Sequence, residues 1–92
     1  MRLQSKEVSI IKQIIGNIFD DATVYLFGSR LDDTKKGGDI DLFVIAKNAT
    51  FSNKIKALAK LQRELHKPVD IVLHKDFSRT IEKEALKGML LE

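Results

Sequence analysis

Apolar side chains recur at Val8, Ile11, Ile14, Ile15, Ile18 and Phe19, with Lys6, Glu7, Lys12, Gln13 and Asn17 on the intervening positions. Steps of three and four predict an amphipathic helix over residues 5–19, ended by Asp20-Asp21. Thr23-Val24-Tyr25-Leu26-Phe27, rich in β-branched and aromatic residues, predicts a buried strand. Residues 28–38 are polar, contain Lys35-Lys36-Gly37-Gly38 and predict a loop. A second strand is expected from Asp39 to Ala46. Residues 48–53 then connect, with Ser52 as N-cap, to a helix over 53–66 striped by Ile55, Leu58, Ala59, Leu61 and Leu65. Pro68 breaks that helix. Val69 to Leu73 reads as a third strand and residues 77–87 as a third helix. The apolar tail Met89-Leu90-Leu91 is expected to pack on the sheet or meet another protein. This order describes a small α/β sandwich, residues 1–92 forming one domain.

Length and charge narrow the classes. A chain of 92 residues supports only a modest core and leaves no room for a separate acceptor-binding domain. An enzyme of this size would take a very small acceptor or draw specificity from a partner chain. The net charge of +3 suits phosphate-rich ligands. The basic residues are spread along the chain and only 7% of residues are aromatic, so no base-stacking platform is visible and direct nucleic-acid binding is not expected. With no cysteine, disulfides, thiolate catalysis and cysteine-ligated zinc are excluded. The charged, amphipathic start is not a signal peptide, and no apolar run approaches spanning length, so a cytoplasmic, membrane-free protein is expected.

The chemistry concentrates in two stretches. Leu26-Phe27-Gly28-Ser29-Arg30 closes one apolar run with a small turn, and Asp39-Ile40-Asp41 opens the next. Alternate residues of a strand share a face, so Asp39 and Asp41 would project together, opposite Ile40, Leu42 and Val44. Two such carboxylates repel unless a cation lies between them. Mg²⁺, a hard ion that arrives with substrate phosphates, is the natural one. Nucleotidyl transfer needs a held triphosphate, a polarised α-phosphorus and a deprotonated acceptor hydroxyl. Gly28 permits close backbone approach, and the Ser29 hydroxyl and nearby N–H groups can bind phosphate oxygens. Asp39 and Asp41 can hold one or two Mg²⁺ ions. Asp70, the one carboxylate in the third strand, can complete the metal site and accept the proton.

Gly28-Ser29, then Asp39-Ile40-Asp41, then Asp70 resembles the signature of the DNA polymerase beta-like nucleotidyltransferase superfamily, in particular its minimal nucleotidyltransferase (MNT) branch. The similarity spans nearly the whole chain and includes Phe27-Gly28-Ser29-Arg30, Gly37-Gly38 before the acidic pair, and a tail like Ile81 to Glu92. The resemblance implies an α+β fold with a small mixed sheet flanked by helices. It implies Asp39, Asp41 and Asp70 as catalytic metal ligands for two Mg²⁺ ions, and Gly28 and Ser29 as holders of ATP. Many members resemble the antitoxin half of a pair whose toxin is a helical HEPN ribonuclease, and transfer AMP from ATP to a toxin tyrosine. The run Gly28-Ser29-Arg30-Leu31-Asp32-Asp33 departs from the commonest loop, Gly-Ser-x-Ala-Arg-Gly. Arg30 can still neutralise β/γ-phosphates.

Each signal also has a plainer meaning. A Gly-Ser turn ends many strands, Asp39 and Asp41 fit a solvated strand face, and Asp70 fits an ion pair with Lys67. The continuous apolar run Leu42 to Ile45 argues against a solvated face, since carboxylates at the mouth of a doubly buried strand need compensation. His66 and His74 have no companions at metal-ligand spacing and read as surface or capping residues. Tyr25 reads as core or sheet face. Two other functions compete: an antitoxin that neutralises its partner by binding alone, and transfer to a small molecule of the antibiotic type.

Overall fold

A computed structural model describes residues 4–27 and 40–91 of the chain. The elements run α1 (Ser5–Ile18), β1 (Thr23–Phe27), β2 (Ile40–Ile45), α2 (Phe51–Leu65), β3 (Val69–Leu73), α3 (Thr80–Leu86) and β4 (Met89–Leu91). They build one mixed sheet in the order β3-β2-β1-β4. β1 pairs antiparallel with both β2 and β4, while β2 and β3 run parallel, joined through α2. The loop over residues 28–38 and the start of the second strand at Asp39 lie outside the described residues.

Strand alternation sends the apolar residues to two cores. Val24 and Leu26, Ile40, Leu42 and Val44, and Val69 and Ile71 meet Ile11, Ile15 and Phe19 of the first helical segment and Ala57, Leu61 and Leu65 of α2. On the opposite face Phe27 and Phe43 pack with Ala85 of α3, flanked by Tyr25, Ile45 and Val72. β2 is therefore covered on both sides, which accounts for its unbroken apolar run. Tyr25 lies half-buried on the α3 face, its ring centroid 6.2 Å from that of Phe43.

The helix ends show where side chains outweigh pattern. Thr50, not Ser52, caps α2: its Oγ1 accepts the Asn53 N–H at 3.1 Å, and the helix starts at Phe51. Ser52 is a helical residue because Thr50 holds the extended N-cap conformation two positions earlier. His66 closes the helix in the left-handed region at φ 55°, and its N–H donates the last i→i−4 bond, to the Gln62 carbonyl at 2.9 Å. Asn48 ties the layers together, its Oδ1 accepting the Asp20 N–H and its Nδ2 donating to the Ile18 carbonyl at 3.1 Å. At the start of α1, Glu7 accepts the Gln4 N–H at 3.1 Å and pairs with Lys67 at 2.7 Å. Lys67 thus serves α1 and not Asp70.

The tail joins the sheet. Leu26, Tyr25 and Val24 pair with Met89, Leu90 and Leu91, and Leu91 is buried in the larger core. Gly88 makes this turn possible: a Cβ there would stand 2.2 Å from the Leu26 carbonyl oxygen and 3.0 Å from Phe27 Cβ. Gly88→Ala is expected to destabilise the fold by roughly 1–3 kcal/mol through overpacking. Gly16→Ala, in α1 with open space around it, should stabilise by about 0.5–1 kcal/mol. Urea unfolding of the two variants checks both signs.

Candidate active site

The parallel register sets Asp41 of β2 against Asp70 of β3, between the pairs Ile40–Val69 and Leu42–Ile71. On the other side Asp41 stands opposite Phe27, the last residue of β1. Ile40, Leu42, Val69 and Ile71 all belong to the α1–α2 core, so alternation turns both aspartates to the opposite face. Strands in a sheet lie about 4.8 Å apart, which brings the two carboxylates within range of one hydrated ion. Asp41 is half-buried and Asp70 exposed. Asp70 accepts the N–H of Ile71 at 2.9 Å and makes no ion pair among the described residues. Neighbouring like charges in the same register are mutually unfavourable, and a pair of hard oxygen donors suits Mg²⁺.

The other expected site residues, Gly28, Ser29, Arg30 and Asp39, lie outside the described residues. In the sequence Gly28 follows Phe27 and Asp39 precedes Ile40, the residues flanking the Phe27–Asp41 pair. Among the described residues no three metal-ligating side chains form a group.

The residue that pattern reading overlooks is Glu82. It is fully buried, yet carries a carboxylate that accepts from His74 Nδ1 at 2.8 Å and Arg79 Nε at 2.7 Å. The backbone N–H groups of Lys75, Asp76 and Phe77 also donate to it, at 2.9, 3.3 and 3.1 Å. Burial pushes the carboxyl up, but the bonds from His74, Arg79 and the backbone outweigh it and bring the value from 4.5 down to about 2. An ionised carboxylate only accepts, so the His74 proton sits on Nδ1. Arg79 also donates from Nη2 to the Leu73 carbonyl at 2.6 Å. Nearby, the Ser78 N–H and hydroxyl hold the Asp76 carboxyl below its usual range.

This network explains why α3 begins at Thr80 and not at residue 77. Phe77, where the helix was expected to begin, instead gives its N–H to Glu82 and takes a left-handed φ of 62°. His74 is consequently half-buried, with its ring 3.9 Å from that of Phe77. The cluster follows the end of β3, whereas Asp70 lies near its start. At about 3.3 Å per residue the two are roughly 13 Å apart, so Glu82 is structural with respect to the aspartate pair. It anchors the start of α3, and Gly88 brings the end of α3 back against Phe27 beside the aspartates. The signal for it was its spacing from Ala85, since positions three apart share a helix face.

Glu82 makes stability sensitive to acid. Its folded-state value lies below the ordinary one, so its contribution is complete above about pH 4.5 and disappears as pH falls toward about 2. Glu82→Gln should be less stable at neutral pH, by roughly 3–5 kcal/mol, and its stability should fall less than wild type's between those pH values. Denaturation midpoints measured across that range check the prediction.

The family model for polymerase beta nucleotidyltransferases matches residues 9–91. No curated protein matches the chain. A solved structure of a tri-AMPylated Shewanella oneidensis HEPN toxin in complex with an MNT antitoxin contains a similar chain, with TM-score 0.78 and 22% identity over 98% of this chain and 72% of that one.

Proposed function

The chain belongs to the polymerase beta nucleotidyltransferase family, and on that premise we propose that it is an MNT-type antitoxin that modifies a cognate HEPN toxin. The reaction moves AMP from ATP to a hydroxyl of the partner and depends on Mg²⁺. The observation that carries this reading is the register of Asp41 with Asp70, two carboxylates on neighbouring strands at the edge of β1, where Gly28-Ser29 follows in sequence. Support for the partner comes from the fold shared with a chain solved in a HEPN–MNT complex whose toxin carries AMP groups.

In this reading Asp39, Asp41 and Asp70 hold the metal, and Gly28, Ser29 and Arg30 hold the triphosphate. Bound Mg²⁺ would supply charge stabilisation for the attacking and leaving oxygens. Asp70, exposed at the edge strand, takes the proton of the acceptor hydroxyl. The hydroxyl oxygen bonds to the α-phosphorus, the bond to the β-phosphate bridge breaks, and pyrophosphate leaves. The exposure of Asp70 at an open sheet edge favours a large acceptor approaching from outside the domain. No helix among the described residues is long and apolar enough to cross a membrane, and the reading places the reaction in the cytoplasm.

The test is intact-mass spectrometry of a candidate HEPN-type helical protein from the same organism, incubated with this chain, ATP and Mg²⁺. Added AMP units on the partner are expected. Asp70→Asn should slow transfer by about 10²-fold or more, and Asp39→Asn/Asp41→Asn should abolish it. A stable complex without added mass would instead favour neutralisation by binding alone. Independently of activity, millimolar Mg²⁺ should raise the melting temperature of the wild type, because a ligand of the folded state stabilises it. The same ion should leave Asp41→Asn/Asp70→Asn unchanged.

A further inference from the structure

The helical layer on the far side of the sheet from Asp41 and Asp70 has its own electrostatic character. α1 and α2 together carry six basic side chains, Lys6, Lys12, Lys54, Lys56, Lys60 and Arg63, against two acidic ones, Glu7 and Glu64. That surplus exceeds the net charge of the whole chain, +3, so the remainder of the molecule is slightly acidic. Of the two acids, Glu7 is already paired with Lys67. Lys6, Lys60 and Arg63 are exposed and make no ion pair among the described residues.

These three cations border a continuous cleft between the two helices. One part, of about 310 Å³, includes Lys6, Ile10 and Glu64 in its lining. The next, of about 230 Å³, shares Ile10 and Glu64 and adds Ile14, Lys60 and Arg63. Ile10 and Ile14 are half-buried and pack on the edge of the core, so isoleucine forms part of the floor, while the rim carries Lys6, Lys60 and Arg63 against Glu64. A furrow between two helices with isoleucines one turn apart accepts the apolar stripe of a third helix. The unpaired basic rim selects carboxylates on that helix. Among the described residues lining the cleft there is no aromatic ring on which a base could stack, which favours a protein over a nucleic acid.

We infer that the α1–α2 cleft is a docking surface for an acidic amphipathic helix of the partner protein, separate from the surface on which the partner is modified. The inference rests on the proposed function only for which protein supplies that helix. Because the sheet lies between the cleft and the aspartate pair, a helix held in the cleft leaves Asp41 and Asp70 open. Holding and modifying are then two contacts, and a charge change in one leaves the other intact.

The first measurement uses a synthetic amphipathic peptide of leucine, alanine and glutamate, roughly 18 residues long so as to span α1. Titrated into ¹⁵N-labelled protein, it should shift amides around Ile10, Ile14, Lys60 and Arg63, with affinity that weakens as salt rises. The exposed variant Lys60→Glu/Arg63→Glu should bind it about tenfold more weakly or worse and melt like the wild type. Shifts located elsewhere, or equal binding by the variant, would overturn the inference. So would a single-stranded RNA oligonucleotide that occupies these residues while the peptide does not. In a second arm, with the candidate HEPN-type helical protein, Lys60→Glu/Arg63→Glu should lose the stable complex but still transfer AMP at high enzyme concentration. Asp41→Asn/Asp70→Asn should show the reverse. If that helical protein is neither bound nor modified by the wild type, the proposed function fails while the peptide titration still decides the docking surface.

Discussion

β2 lies between an antiparallel neighbour and a parallel one, buried on both faces from Leu42 to Val44, with Asp41 near its start. That position constrains nearly everything else. Its odd and even residues commit to separate cores, its parallel bond to β3 requires the α2 crossover, and its register with β3 decides which residue stands beside Asp41. A slip of one residue would set Asp70 against an apolar neighbour and turn its carboxylate toward the α1–α2 core. The apolar pairs Ile40–Val69 and Leu42–Ile71 prevent it, since both members of each are buried in that core.

A second constraint works at the opposite end of the sheet. The buried Glu82 gathers His74, Arg79 and three backbone N–H groups. This fixes the turn between β3 and α3. A buried carboxylate is costly alone and tolerable only when its lone pairs are filled. Here the requirement ties the end of β3 to α3, and α3 in turn lays Ala85 over Phe27 and Phe43. The face bearing the aspartates is thereby roofed at one end and left open at the other, where Asp70 is exposed.

The two sides of the sheet divide the electrostatic labour. One carries neighbouring carboxylates whose mutual repulsion invites a divalent cation. The other carries a basic pair of helices with an isoleucine-floored cleft between them. Within 92 residues such a division sets two surfaces of opposite charge on opposite sides of one sheet.

By itself the sequence determined the elements and the chemistry they bear. Helical steps of three and four, strand runs rich in β-branched residues, and the break at Pro68 are local facts, because backbone periodicity fixes which side chains share a face. The family motif, read from Gly28-Ser29, Asp39, Asp41 and Asp70, is equally local in its parts, and the family model agrees over residues 9–91. Three of those site positions, Gly28, Ser29 and Asp39, lie outside the described residues, and their roles belong to the proposal. What the tertiary structure alone decided are relations across the chain. The pairing of Asp41 with Asp70 joins residues far apart in sequence through a register that no single strand encodes. Lys67 turned to Glu7 because α1 packs beside the end of α2. Thr50 displaced Ser52 as the cap, the tail became an edge strand because Gly88 lets the turn press against Leu26, and Glu82, which periodicity does not single out, became the most enclosed charge among the described residues. Each outcome depends on which distant group supplies a hydrogen-bond partner or occupies a volume, and local periodicity carries no information about that.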